Sequence, residues 1–216
     1  MKRFYQQELE DLRTKLVLIG EKAKEAAHIA IEGLLENDLE KLTKAINIED
    51  TIDQLEFEID QASVRYITLR APVSMDVRFI FVAIKASHDL ERAGDEAQKI
   101  ALQAKKVLTK NGVVGETAAI GEMSKIASSM MQDAITALIE EDVELAKEVI
   151  ARDKEVNLLN KENFKFFSGG YKNDKTEDAT YFQKIFISKS IERIADHAKN
   201  LAEEVIYLLT GKQKIG

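Results

Sequence analysis

Two carboxylate pairs, Glu91/Asp95 and Glu192/Asp196, are the residues best placed to do chemistry in this sequence. Carboxylates four apart rise from one helical face and together offer oxygen ligands to a hard or borderline cation. With 38 acidic residues among 216, one such pair would mean little. Recurrence at matched positions means more. The run Glu91-Arg92-Ala93-Gly94-Asp95-Glu96-Ala97 returns 101 residues later as Glu192-Arg193-Ile194-Ala195-Asp196-His197-Ala198. In both copies the pair sits one position past a stripe of apolar and small residues, so each pair borders a buried helical seam.

A second segment brings more acid. Glu49, Asp53 and Glu56 fall within one narrow arc of a helix, and 104 residues later the same positions read Asp153, Asn157 and Asn160. The spacing predicts a cation near Glu91/Asp95 with Glu49/Asp53, and another near Glu192/Asp196 with Asp153 and Asn157. The second is expected to be weaker, since an amide oxygen ligates without adding charge. Glu56, His88 and Asn160 extend the two metal faces. Iron, zinc, manganese and magnesium all suit such ligands. Ion pairing to neighbouring Lys and Arg is the competing reading, and spacing alone leaves both open.

Helices must position these groups. The first is predicted from about Phe4 to Glu36, with a seam of Leu9, Leu12, Leu16, Ile19, Ala23, Ala26, Ala30 and Gly33. Asn37-Asp38 starts the next, which buries Leu42, Ile52, Leu55, Ile59, Ala62, Tyr66 and Leu69 and ends before Pro72. Ser74 is the expected cap of the third helix, which carries Glu91/Asp95 and stops near Asn111-Gly112. The fourth uses Ile120, Met123, Ala127, Met130, Ala134 and Ala137; the fifth starts at Asp142 and breaks at the loop 168–175; Thr176 caps the sixth. The predicted fold is all-α, six helices forming a tandem repeat of two antiparallel three-helix bundles, residues 1–112 and 113–216. A pseudo-two-fold should place Glu91 over Glu192 and Asp38 over Asp142.

Composition agrees. Charged residues make up 32% and aromatics 6%, with one Pro and no Cys, a profile of long helices without disulfide or thiolate chemistry. The net charge is −7 and the basic residues are dispersed, which argues against nucleic acid. The apolar run Phe79 to Ile84 is too short to span a bilayer, and the first residues lack a secretory core, so a cytoplasmic protein is expected. No P-loop, dinucleotide-binding glycine pattern or His-Glu-x-x-His occurs. Glu25-Ala26-Ala27-His28 matches the Glu-x-x-His of di-iron bundles, which use it twice; here it occurs once. A metal-dependent, di-iron-like helical enzyme therefore stands as the alternative to a non-enzymatic adaptor. His28 and His197 are read as structural.

The runs Arg70-Ala71-Pro72-Val73-Ser74-Met75-Asp76-Val77-Arg78, Asp89-Leu90-Glu91-Arg92-Ala93-Gly94-Asp95 and Glu192-Arg193-Ile194-Ala195-Asp196-His197-Ala198-Lys199-Asn200-Leu201-Ala202-Glu203-Glu204 resemble the PhoU family along the whole chain. That resemblance implies a negative regulator of the phosphate-starvation response, not an enzyme. It would act as an adaptor between the ATPase subunit of the phosphate ABC transporter and a membrane sensor histidine kinase. It also implies metal clusters on Glu/Asp-x-x-x-Asp motifs, here Glu49/Asp53, Glu91/Asp95 and Glu192/Asp196. Asp153-x-x-x-Asn157 departs from that motif. A homodimer that meets the inner membrane only through its partners completes the expectation.

Overall fold

The computed structural model describes the backbone of residues 2–169 and 175–212, and the side chains of 6–169 and 180–212. Six helices follow in order: α1 (Lys2–Glu36), α2 (Leu39–Arg70), α3 (Ser74–Asn111), α4 (Ile120–Glu140), α5 (Val143–Gly169) and α6 (Lys175–Thr210). There is no strand among the described residues. Helices α1, α2 and α3 pack on one another, as do α4, α5 and α6, and the two units join where α3 meets α6 and α1 meets α4. Sequence-equivalent helices thus face each other, the arrangement a two-fold relation produces.

The repeat extends to backbone detail. Asn37 and Glu141 both adopt left-handed conformations, with φ 59° and 56°. The next residue then caps the following helix in each unit. Asp38 accepts from the amides of Glu40 and Lys41, and Asp142 from those of Glu144 and Leu145. A carboxylate there satisfies amides that lack intrahelical partners and meets the positive end of the helix dipole.

The first-helix seam from Leu12 to Gly33 is buried, and so are the α4 positions predicted from Ile120 to Ala137. Several expectations fail. Leu69 is exposed, although Arg70 beside it still reaches Glu8 of α1, and Ala62 is only half-buried. Ser74 does not cap α3; Val73, extended at φ −88° and ψ 168°, takes that position with no side-chain cap. Ala71, just before Pro72, turns left-handed at φ 46° and ends α2, and α3 begins at Ser74 itself. Helix α5 continues through Gly169, past the predicted start of the loop at Ser168. Residues 170–174 of that loop lie outside the described residues, and α6 already begins at Lys175, so Thr176 stands inside the helix and not at the predicted cap position.

Small residues let the helices approach. A Cβ built on Gly94 would lie 2.6 Å from Cδ1 of Ile52, so any larger residue there requires the end of the buried Ile52 side chain to move. At the equivalent point of the second unit the pair reads Ala195 and Val156, both buried. One methyl group has moved from one helix to the other.

Helices α3 and α6 run antiparallel. Arg78 reaches the Leu208 carbonyl at 3.4 Å, Asp89 meets His197 at 2.9 Å, and Asn111 donates to Thr180 at 2.8 Å. Between them Glu96, 4% exposed, accepts from Arg193 at 3.1 Å and from Ser190. Ser190 and His197 are the repeat counterparts of Asp89 and Glu96, so one crossing contact appears in two versions.

Candidate metal-binding clusters

Packing α2 against α3 brings the first set of carboxylates together. Glu49, Asp53 and Glu56 come from α2, and Glu91 and Asp95 from α3. Glu56, His88 and Glu91 converge, each offering a ligand atom within 4.8 Å of the others. His88 Nδ1 lies 3.2 Å from Glu56 and 3.8 Å from Glu91. His88 is exposed, whereas the Glu91 side chain is only 16% exposed, and its buried Oε2 makes no hydrogen bond. The cations nearby stand off: Arg92 is 3.6 Å from both Glu91 and Asp95, and Lys99 is 3.6 Å from Asp95.

Crowding shows in the acidities. Burial pushes the Glu91 carboxyl above its ordinary value, and the negative charges of Asp95 and Glu56 push it further, against smaller opposing effects of Arg92 and His88. Glu49 is raised in the same way by burial and then by Asp53 and Asp95, although Gln98 donates to it at 2.9 Å. Like charges this close are retained at a cost, which a bound cation would remove.

The second cluster sits between α5 and α6. Asp153 and Glu192 are buried, at 7% and 8% exposure, and Asp196 is half-buried. These carboxylates were expected at the outer edge of the seam; the neighbouring helix covers them instead. Burial raises the Asp196 carboxyl, followed by the charges of Glu192 and Asp153. Two lysines intervene. Lys199 donates to Asp153 at 3.1 Å, and Lys189 pairs with Glu192. Asn157 also donates to Asp153, at 3.0 Å, while the Asn160 oxygen accepts from buried Ser188 at 2.9 Å. The competing ion-pair reading therefore describes this cluster better than the first. Lys189, Lys199, Gln98 and Glu96 were not singled out from the sequence. Aligning the two repeats position by position would have exposed the first three.

The di-iron alternative loses its motif. Glu25 is held by Lys22 at 2.8 Å and faces Lys44 at 3.6 Å, and His28, with a 64% exposed side chain, pairs with Glu32. His197 binds Asp89, in line with its structural reading. No described helix is long and apolar enough to cross a membrane.

A family model described as PhoU domain matches this chain twice, at residues 16–104 and 120–205. A Clostridium acetobutylicum protein described as a phosphate-specific transport system accessory protein PhoU homolog is 33% identical over 215 residues, covering 98% of this chain and 97% of its own. The Methanothermobacter thermautotrophicus homolog 1 is 27% identical over 206 residues, covering 95% and 94%. The crystal structure of PhoU from Pseudomonas aeruginosa superposes with a TM-score of 0.90 at 32% identity, covering 96% of this chain and 100% of that one.

Proposed function

The chain belongs to the PhoU family, accessory proteins of the phosphate-specific transport system, and on that premise we propose that it is a negative regulator of the phosphate-starvation response. It works by docking, as an adaptor between the ATPase subunit of the phosphate transporter and a membrane sensor histidine kinase. The observation that supports docking most directly is the first acidic cluster, a set of like charges on two rigid helices, half-buried between them apart from exposed Asp53. Negative edges of this kind steer basic segments of a partner and set which partner is accepted. A homodimer in the cytoplasm, reaching the membrane only through its partners, and a division into repeats at 112/113 belong to the same reading. Exposed apolar residues at one end of the bundle, Leu69, Val73 and Met75, fit an assembly that covers them.

Glu49, Asp53, Glu56, His88, Glu91 and Asp95 fit a divalent cation. The fit rests on the orphaned Glu91 oxygen and on the convergence of two carboxylates and an imidazole, a donor set suited to iron, zinc or manganese. A bound cation would supply positive charge and invert the local field, tuning which partner docks. The chain's own contribution is to hold the carboxylates on two helices that cannot separate without opening the core.

A phosphate-responsive reporter in a deletion strain tests the regulatory reading. Without this protein the reporter should stay on in plentiful phosphate, and complementation should silence it. Normal repression in the uncomplemented deletion strain would refute the proposal.

A further inference from the structure

The two repeats make the same contact with different chemistry. Gln98 Nε2 donates to Glu49 Oε2 at 2.9 Å in the first, and Lys199 Nζ donates to Asp153 Oδ2 at 3.1 Å in the second. Lys199 is the repeat counterpart of Gln98, and Asp153 of Glu49. A neutral amide in one unit is an ammonium in the other. The same replacement happens nearby: His88 faces Glu56 and Glu91, whereas its counterpart Lys189 pairs with Glu192, the counterpart of Glu91.

The acids change in step. Asp53 and Glu56 become Asn157 and Asn160, leaving three carboxylates where the first cluster has five. Asn157 turns its amide nitrogen on Asp153, and the oxygen of Asn160 is taken by Ser188. The remaining cations are reassigned too. Arg193 binds Glu96 across the α3–α6 contact, while its counterpart Arg92 stays beside Glu91 and Asp95. Three carboxylates with two ammonium groups form a nearly neutral set, and a hard cation draws its affinity from uncompensated oxygen charge. Two buried oxygens here make no hydrogen bond, Oδ1 of Asp153 and Oε2 of Glu192, and the second of them faces the Lys189 ammonium.

We propose that the second repeat carries its cation in the chain itself: Lys199, supported by Lys189, occupies the charge position that a metal would fill, so divalent ions bind at the first cluster alone. This uses the metal reading of the first cluster for contrast, but the role of Lys199 can be tested separately. The first repeat, with Arg92 and Lys99 beside five carboxylates, still has charge for an ion to neutralise, whereas Lys189 and Lys199 neutralise most of the second. The first neutralising charge is exchangeable and the second is fixed.

The test is a reciprocal exchange in the full chain, stripped with a chelator and titrated with Mn²⁺ while heat release and thermal unfolding are followed. Lys199→Gln should lower the melting temperature in chelator. It should also add Mn²⁺ binding that wild type lacks, with Mn²⁺ restoring the lost stability. Gln98→Lys should weaken Mn²⁺ binding at the first cluster by about tenfold or more, the effect of one added unit charge beside the ligands. Lys199→Arg, which keeps the charge, should resemble wild type. The proposal is overturned if Lys199→Gln changes neither stability nor Mn²⁺ uptake. It is also overturned if Glu192→Gln/Asp196→Asn removes a share of the Mn²⁺ bound by wild type. Should wild type bind no Mn²⁺ while Lys199→Gln gains it, the fixed-charge proposal stands and the metal reading of the first cluster falls.

Discussion

Replacing Glu91 by glutamine should stabilise the metal-free protein and destabilise it relative to wild type once a divalent cation is present. The ligand atoms of Glu91 and Glu56 lie within 4.8 Å of each other. At that separation two unit charges repel by about 3.5 kcal/mol at an effective dielectric of 20, and by about 0.9 kcal/mol in water. The Glu91 side chain is 16% exposed and that of Glu56 29%, which places the pair between these limits. Glutamine also forfeits the attraction of Arg92 at 3.6 Å. Arg92 is half exposed and its attraction is screened, while burial and the charge of Asp95 weigh on Glu91 more than either Glu56 or Arg92. Removing the charge is therefore a net gain on the order of 1 kcal/mol, or a rise of about 2–4 °C in Tm for a chain of this size. Saturating Mn²⁺, at one hundred times its Kd, would stabilise wild type by about 2.7 kcal/mol, and the variant by much less, so the order of stabilities reverses. The raised pKa of Glu91 adds a check. Its penalty is present at neutral pH and disappears as the pH falls through the raised folded value towards the ordinary 4.5, so the gap between variant and wild type in chelator should close on acidification. Differential scanning calorimetry in chelator and in Mn²⁺ decides it. A variant less stable than wild type in chelator, or one with an undiminished Mn²⁺ response, would refute the electrostatic account.

Gly94→Ala should cost about 1–3 kcal/mol by pushing against Ile52, and adding Ile52→Val should recover most of it, measured as a coupling in a double-mutant cycle of urea unfolding. The buried Glu96 carboxyl is raised by burial, but hydrogen bonds from Ser190, Lys99 and Arg193 outweigh that and hold it below its ordinary value of 4.5. Its stabilisation is therefore present above that value and lost as the pH falls through the lower folded one, so Glu96→Gln should flatten the acid limb of a stability–pH profile. Asp38→Ala and Asp142→Ala each remove a helix cap and should each cost about 0.5–2 kcal/mol, additively, in the same denaturation assay.

What could be read from the sequence follows a physical divide. Seams such as Leu12–Leu16–Ile19–Ala23 and caps such as Asp38 depend on residues three or four apart, so local spacing reveals them. The repeat itself carried the fold, since Glu91 and Glu192 mark equivalent points. Ser74 misled because its hydroxyl makes it a good cap by type, whereas the backbone turns helical at Ser74 itself and leaves extended Val73 in the cap position. Glu96 was invisible because the partners that justify burying an acid there, Ser190 and Arg193, come from the other unit. The depth of Glu192 and Asp153 was missed for a related reason. A position one step past a seam is open on an isolated helix, but covered once a third helix packs beside it.

The crossing between α3 and α6 also explains why the two halves are not interchangeable. Asp89 faces His197, and Ser190 with Arg193 faces Glu96. Two copies of the first half, paired in the same way, would set Asp89 against Glu96, acid on acid. Two copies of the second would set His197 beside Arg193 and leave no carboxylate to receive either. Each half therefore lacks the charge that a second copy of itself would need and finds it on the other half. The repeat is symmetric in its backbone and asymmetric in its recognition: the crossing accepts unlike halves and discourages like ones, so the pairing is specified by charge as well as by shape.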